Sequence, residues 1–383
     1  MIFDLENSDK IQENVDCDIV IIGAGTAGLY LANKLYNSSF KIILIEEGGR
    51  QGRMSDLLGK KVINSGIQYN GASKGRSFGI GGTSSLWGGQ MIPLSSFDLE
   101  DRACGMFKEW PIKFDNLKAH LNNVCNIFSL NSYKNSDSNA LNKLFFPTLY
   151  NFNKCLNLRH SQWIPFKKRN FGKYFFKKIK SNDNINVWIN SRIEKIIKSE
   201  GKDSYRIEKI VSKSVSGNVL TVKAKNIVIC AGALESTRLL LEFDEENNNC
   251  ITNKGSPLGN YFSDHFSINI GTLEPLNFYN LNKEIAPVFH KGIMCSPRLE
   301  LSKKNQRRNK IPSAFIHFIF LTNGKTFFDF VRDFLRAKQD LRKISKSYSV
   351  SFVLKGFIEM YLMAFWRYFY KRLRFPQNSK ILM

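Results

Sequence analysis

The chain has 383 residues, 43% of them hydrophobic, and a formal net charge of +23 at pH 7. Length and apolar content exclude wholesale disorder and point to two domains, or one large domain with an inserted partner. The charge would suit a polyanionic partner, but no nucleic-acid-binding motif accompanies it, and the basic residues are spread through a sequence rich throughout in Lys, Asn, Ile and Phe.

The N-terminus, MIFDLENSDKIQENVD, is acidic and polar and does not read as a signal peptide. The β-branched run Asp18–Ile22 (DIVII) predicts a buried parallel strand. GAGTAG follows, then LYLANKLYN with Leu29, Ala32 and Leu35 on one helical face, then a second apolar run, Lys41–Ile45, ending in Glu46. This is a β-α-β crossover of a doubly wound sheet. The stretch from Gly71 to Gly89 is too dense in glycine for a helix or a central strand. From about Leu99 to Asn182 the pattern gives helical patches, including Phe114–Leu130 with Asp115 as its expected cap. Residues Ile185–Ile229 read as three strands, the last broken near Lys225, and LESTRLLLEF reads as a helix. Gly292–Leu301 and Ser313–Leu321 are alternating runs, Ser313–Leu321 reading as a half-buried strand of a second sheet, and basic, aromatic helices close the chain.

Seven cysteines, Cys17, Cys104, Cys125, Cys155, Cys230, Cys250 and Cys295, include no C-x-x-C pair. They read as reduced thiols of a cytoplasmic protein rather than as disulfides or a zinc site, and no metal-ligand spacing is visible. Phe352–Tyr370 is mostly apolar, but Lys355, Glu359 and Arg367 interrupt it, so a buried or amphipathic helix is expected rather than a span. Its basic flanks, among them Lys338, Arg342, Lys343, Lys346, Lys371, Arg372 and Arg374, admit peripheral contact with an anionic membrane, at its inner face.

The chemistry begins at Gly23-Ala24-Gly25-Thr26-Ala27-Gly28, a G-x-G-x-x-G between a predicted strand and a predicted helix. Gly23 permits the tight turn, Gly25 lets the backbone approach a pyrophosphate, and Gly28 lets the helix pack on the strand. The helix N-terminus, with the amides of Thr26 and Ala27, then faces the phosphates. Glu46, at the end of the next strand, stands where an acid takes the adenosine ribose hydroxyls.

Further segments follow in order: Glu46–Gly49 (EEGG), Arg76–Gly89 (RSFGIGGTSSLWGG), Asn190–Ile196 (NSRIEKI), Ala224–Leu241 (AKNIVICAGALESTRLLL) and Pro257–His265 (PLGNYFSDH). EEGG resembles the ending of the second strand in many FAD enzymes; with GAGTAG, the other segments resemble the ordered motifs of the glucose-methanol-choline (GMC) flavin oxidoreductases across residues 16 to 265. The resemblance implies an α/β protein. Its FAD-binding doubly wound, Rossmann-like domain would comprise residues 16–100 and 183–270. A second, α+β substrate domain built on an antiparallel sheet would comprise 101–182 and 271–383. It also implies that Arg76, Gly81, Gly82, Thr83, Ser84, Trp87 and Gly88 run beside the pyrophosphate and the isoalloxazine ring. A flat ring lying against main chain requires small residues and exposed N–H groups there. Ile193 would give its backbone to the adenine, and Ala231-Gly232 would form the second turn against the cofactor. The SSLWGG form looks more like the sugar-oxidising branch. Where some sugar oxidases carry a histidine bonded to the flavin this chain has Leu86, so FAD is expected to bind non-covalently.

GMC enzymes take a proton from an alcohol with a histidine near the C-terminus while hydride moves to flavin N5. The five histidines here are His120, His160, His265, His290 and His317, and none has that family context. The chain therefore reads as truncated relative to the family, with its catalytic residues unassigned. His265, in the D-H dipeptide, is read as structural, with a role as base kept as the alternative; His317 is read as a satisfied sheet histidine, with a pocket-facing position as the alternative. The expected function is FAD-dependent oxidation of CH–OH groups of a sugar or similar alcohol, with an unknown electron acceptor. Two alternatives stay open. One is a catalytically incomplete FAD-binding remnant or gene fragment, associated with a membrane or not. The other is a flavoprotein with two dinucleotide sites, for which a second G-x-G-x-x-G is lacking.

Overall fold

The structure is a computed structural model. It describes residues 1–9, 11–54, 62–100, 109–151, 155–199, 206–340, 350–377 and 379–383. Cys104, Arg342, Lys343 and Lys346 lie outside the described residues. The chain divides into two units, 1–87 with 167–265 and 88–166 with 266–383.

The first unit is built on a seven-stranded sheet in the order Ile2–Asp4, Ile185–Ile189, Ile42–Ile45, Gln12–Ile22, Val219–Ile229, Ile207–Lys213, Arg192–Lys198. The first five are mutually parallel, and the last two add antiparallel pairs. Apolar runs occupy the middle because a parallel sheet is covered on both faces: Ile42–Ile45 is buried at every position. Val20, Ile22, Ile43, Ile45, Ile210, Val222, Leu239 and Phe243 belong to one core. Each such side chain contributes roughly 1.5–3 kcal/mol of burial, so truncating Ile43, 2% exposed, should cost about 2–5 kcal/mol. Helix Thr26–Lys34 buries Gly28, Leu29 and Ala32, and Tyr30 meets Phe175 of helix Phe171–Ile179 edge to face at 6.4 Å.

Three expectations are corrected in this unit. The strand predicted over Asp18–Ile22 extends back to Gln12. Its polar first half pairs with Val219–Lys223 while one face stays open to solvent, so an apolar run does not mark it. The expected break near Lys225 is absent: Val219–Ile229 is continuous, and Lys225 Nζ sits 2.7 Å from Asp18 Oδ1 of the neighbouring strand. Residues 185–229 form four strands rather than three. An unanticipated edge strand, Ile2–Asp4, is anchored by Phe3 stacked on Trp188 at 4.7 Å.

The second unit holds two antiparallel sheets. One contains Val288–His290, Ile293–Leu301, Leu156–Trp163 and Gln90–Met91, with Phe315–Ile316 added on Ile293–Leu301. The other contains Thr272–Leu273, Lys380–Leu382 and Ile319–Leu321. The single strand predicted over Ser313–Leu321 is therefore two short strands in two sheets, parted at His317 and Phe318. Strand Leu156–Trp163 falls where helical patches were expected. Its Arg159, His160, Ser161 and Gln162 are all buried and hydrogen-bonded, a pattern that hides a strand from an apolarity count. Helix Phe114–Phe128 forms as predicted, but Asn116 rather than Asp115 accepts from the Lys113 N–H, while Asp115 pairs with Lys118. Phe146, Phe278, Val288, Leu299, Phe328, Phe375 and Ile381 share this unit's core. No helix among the described residues is long and apolar enough to cross a membrane.

Candidate functional site

At the carboxyl ends of the parallel strands the first unit carries a cleft of about 690 Å³, the place where open α/β sheets bind ligands. Its floor is the GAGTAG turn. Gly23 has φ +103°, in the left-handed region, and a Cβ there would meet Cys230 O at 2.6 Å. A Cβ on Gly28 would lie 2.0 Å from Gly23 O, so only glycine lets the helix start this close to its strand. Gly25 is different: a Cβ on it would meet nothing within 4 Å, and it lines the cleft at the N-terminus of helix Thr26–Lys34 with Thr26 and Ala27. The first-turn amides of a helix have no intrahelical acceptor, and they carry the positive end of its dipole. Helix Gly232–Glu246 also begins at the cleft, with Ala231 as N-cap and Gly232 at φ +80°. The three glycines of the turn thus sit in three different environments, and only Gly25 leaves room for something else.

Glu46 ties the glycine segments together. It is 6% exposed. Its Oε1 accepts from the N–H groups of Gly48 (2.9 Å) and Gly79 (2.8 Å), and its Oε2 accepts from the N–H of Ala24 (2.8 Å). One carboxylate therefore joins GAGTAG, EEGG and RSFGIGG. Burial pushes its pKa above the usual carboxylate value, and the three amides act in the opposite direction. Oε2 takes one donor where a carboxylate oxygen accepts two, which leaves one acceptor position on it. Main-chain bonds complete the knot: Gly81 N–H donates to Ala24 O (2.9 Å) and Ile80 N–H to Gly49 O (3.1 Å). A Cβ on Gly82 would lie 2.8 Å from Gly25 Cα, so residues 81–83 run directly against the turn.

The other predicted residues divide into those that reach the cleft and those that brace it. Thr83, Ile193, Ala231 and Gly232 line it. Arg76 lines it too, but its guanidinium is committed to Glu235 at 2.6 Å and to Ala72 O at 2.7 Å. Gly81, at φ +105°, is not among the lining residues. Ser84 is buried: its hydroxyl donates to Gly81 O (2.5 Å) and accepts from the Phe171 N–H (3.0 Å). Trp87 does not line the cleft. Its indole N–H donates to Arg169 O (2.8 Å), and its ring meets Phe171 edge to face. Gly88 belongs to the second unit.

His265 has 89% of its side chain exposed and is not among the cleft-lining residues. Its Nδ1 is 3.1 Å from Asp264 Oδ1. The Tyr69 hydroxyl and then the His265 N–H hold Asp264 down to about 2. Sequence reasoning missed Tyr69, Asp264, Glu235 and Arg238 as lining residues. Their signal was present only in part: Glu235 and Arg238 stand three apart on one helix face, with Arg238 Nε 2.7 Å from Glu235 Oε2.

A family model described as pyridine nucleotide-disulphide oxidoreductase matches residues 17–257, from the first strand of the turn through the helix after Gly232. The chain belongs to that family. FAD is the cofactor that this membership and the cleft both support. No curated protein matches the sequence. Among solved structures, the chain is similar to pyridoxine 4-oxidase from Mesorbium loti, with 20% identity, 59% of this chain and 52% of that one covered, and a TM-score of 0.42. It is also similar to a fungal aryl-alcohol oxidase, at 15% identity, 58% and 47% coverage and a TM-score of 0.39. A third likeness is to an Aspergillus oryzae RIB40 formate oxidase, at 18% identity, 60% and 48% coverage and a TM-score of 0.41. The chain spans about half the length of each.

Proposed function

We propose that the chain is an FAD-dependent oxidoreductase of GMC type that oxidises CH–OH groups of a sugar or similar alcohol. The observation that carries this reading is Gly25, a glycine at a helix N-terminus whose missing side chain leaves open space in the cleft. In this reading the first-turn amides after Gly25 take the pyrophosphate, the free acceptor position on Glu46 takes a ribose hydroxyl, and Ile193 holds the adenine through its backbone. Residues 81–83 give a main-chain surface to the isoalloxazine. Leu86, where a covalently flavinylated relative would carry histidine, supports non-covalent binding. The flavin, when bound, supplies the hydride acceptor at N5. Cys17, Cys125, Cys230, Cys250 and Cys295 are free thiols, which supports residence in the cytoplasm.

A second reading, FAD binding without turnover, is favoured by one observation: among the described residues no histidine lines this cleft. The test is to saturate the purified protein with FAD, desalt it and record the visible spectrum, then add glucose or benzyl alcohol without oxygen. Retained flavin bands that an alcohol bleaches are expected. Retained bands that no alcohol bleaches would leave the second reading, and a colourless protein would end both.

A further inference from the structure

The second unit contains its own cleft, of about 300 Å³, which the flavin reading does not use. It opens where the chain leaves one sheet for the other. Phe315–Ile316 pairs with Ile293–Leu301, Ile319–Leu321 pairs with Lys380–Leu382, and His317 lies at the crossing and lines the cleft. Helix Phe327–Asp340 closes one side with Phe328, Arg332 and Arg336, spaced four apart on one face. The lining holds three guanidiniums, those of Arg298, Arg332 and Arg336, and no carboxylate.

The three cations are not equivalent. Arg332 is already committed, at 2.9 Å to Asp329 and 3.3 Å to Asp333. Arg298 has no carboxylate partner among the described residues. It donates to Gln90 Oε1 and lies 5.3 Å from the Phe315 ring centre. Burial pulls its pKa from the ordinary arginine value down to about 10, so it stays charged at neutral pH while bearing a desolvation cost. Directly across the strand pair stands a second cation, Arg159, but that one is neutralised by Asp137 and Glu300. A half-buried guanidinium beside a like charge, with most of its five N–H donors uncommitted, is a costly arrangement unless an anion completes it. Arg336, exposed and lining the cleft, likewise has no carboxylate partner among the described residues. The rest of the wall is apolar and aromatic: Trp163 lines the cleft, and Phe320 and Phe375 stack at 3.8 Å.

We propose that this cleft binds a small organic carboxylate, with the carboxylate held by Arg298 and Arg336 and the apolar body against Trp163 and Phe375. A guanidinium fork matches a carboxylate in two parallel hydrogen bonds. The volume stands at the lower end of roughly 300–1,000 Å³ for small-ligand sites, which favours a single-ring or short-chain body. The proposal is independent of the flavin site.

The test is calorimetric titration of the full chain with three probes: benzoate, benzyl alcohol (same body, no charge) and inorganic phosphate (charge, no body). Benzoate should bind at least about 10-fold more tightly than either of the others, the value of one charge-assisted hydrogen-bonded pair. Arg336→Gln, on an exposed side chain that leaves the fold intact, should weaken benzoate about 10-fold, and Arg298→Gln by about 100-fold. Absence of benzoate binding to the folded wild type would overturn the proposal. So would benzyl alcohol binding equally well, phosphate binding equally well, or an Arg336→Gln protein with unchanged affinity.

Discussion

Replacing Glu46 tests its role as the brace of three glycine segments. Glu46→Ala removes the acceptor of three buried N–H groups, those of Ala24, Gly48 and Gly79. A buried donor left without a partner costs about 1–3 kcal/mol, so three give about 3–9 kcal/mol. The loss is reduced because a carboxylate is no longer taken out of water, the effect that raises this pKa. Glu46→Gln keeps one carbonyl oxygen, which can still face Gly48 and Gly79, but turns an amide N–H₂ toward Ala24. Its cost should be about 1–3 kcal/mol. At about 2–4 °C of melting temperature per kcal/mol for a unit of this size, thermal unfolding resolves the order: wild type, then Glu46→Gln, then Glu46→Ala. The sign with pH follows from the raised pKa. The native state holds this proton more tightly than the unfolded chain. The contribution is full below the unfolded carboxylate value and lost as pH rises through the folded one. The stability advantage of wild type over Glu46→Gln should therefore shrink as pH is raised above the unfolded carboxylate value of about 4. Equal melting temperatures for all three proteins, or an advantage that grows with pH, would refute this role.

Two further outcomes are expected. Gly28→Ala places a Cβ 2.0 Å from Gly23 O; the helix must shift, and unfolding should become easier by about 1–3 kcal/mol, the usual range for overpacking, measurable by denaturant titration. His160 is 2% exposed, its Nδ1 lies 3.0 Å from Asn142 Oδ1, and burial pulls its pKa to about 4. Its neutral form is favoured by the fold, so this contribution is present above the unfolded value near 6.5 and lost as pH falls toward 4. Acidification across that window should cost on the order of 3 kcal/mol, and a His160→Gln protein should not show that slope.

What the sequence revealed followed periodicity and punctuation. The DIVII and KIILI runs, with GAGTAG between them, place three elements because buried parallel strands are continuously apolar and glycine marks the turn. Strands without that signature escaped. Gln12–Asp16 is polar because one face is open, and Arg159–Gln162 is polar because hydrogen bonds satisfy each buried group. At the site, spacing located Glu46 but not the direction of its carboxylate, which depends on two glycine segments distant in sequence. The motif likewise could not tell that Trp87 turns its indole to Arg169 O, since a side chain's direction is set by packing rather than by local pattern. The arginines of the second cleft were invisible for the same reason: Arg298 and Arg336 come together only when the chain crosses between two sheets at His317.

The central claim, that the first unit is shaped around a dinucleotide at Gly25, is tested most directly by Gly25→Ala. Nothing lies within 4 Å of the added Cβ and the backbone there, at φ −83°, suits alanine, so stability should change by no more than about 1 kcal/mol, the usual cost of alanine at a helix N-cap. Flavin retention after desalting should nevertheless fall sharply, because the methyl group takes the space of the pyrophosphate. A Gly25→Ala protein that retains as much FAD as wild type would contradict the account.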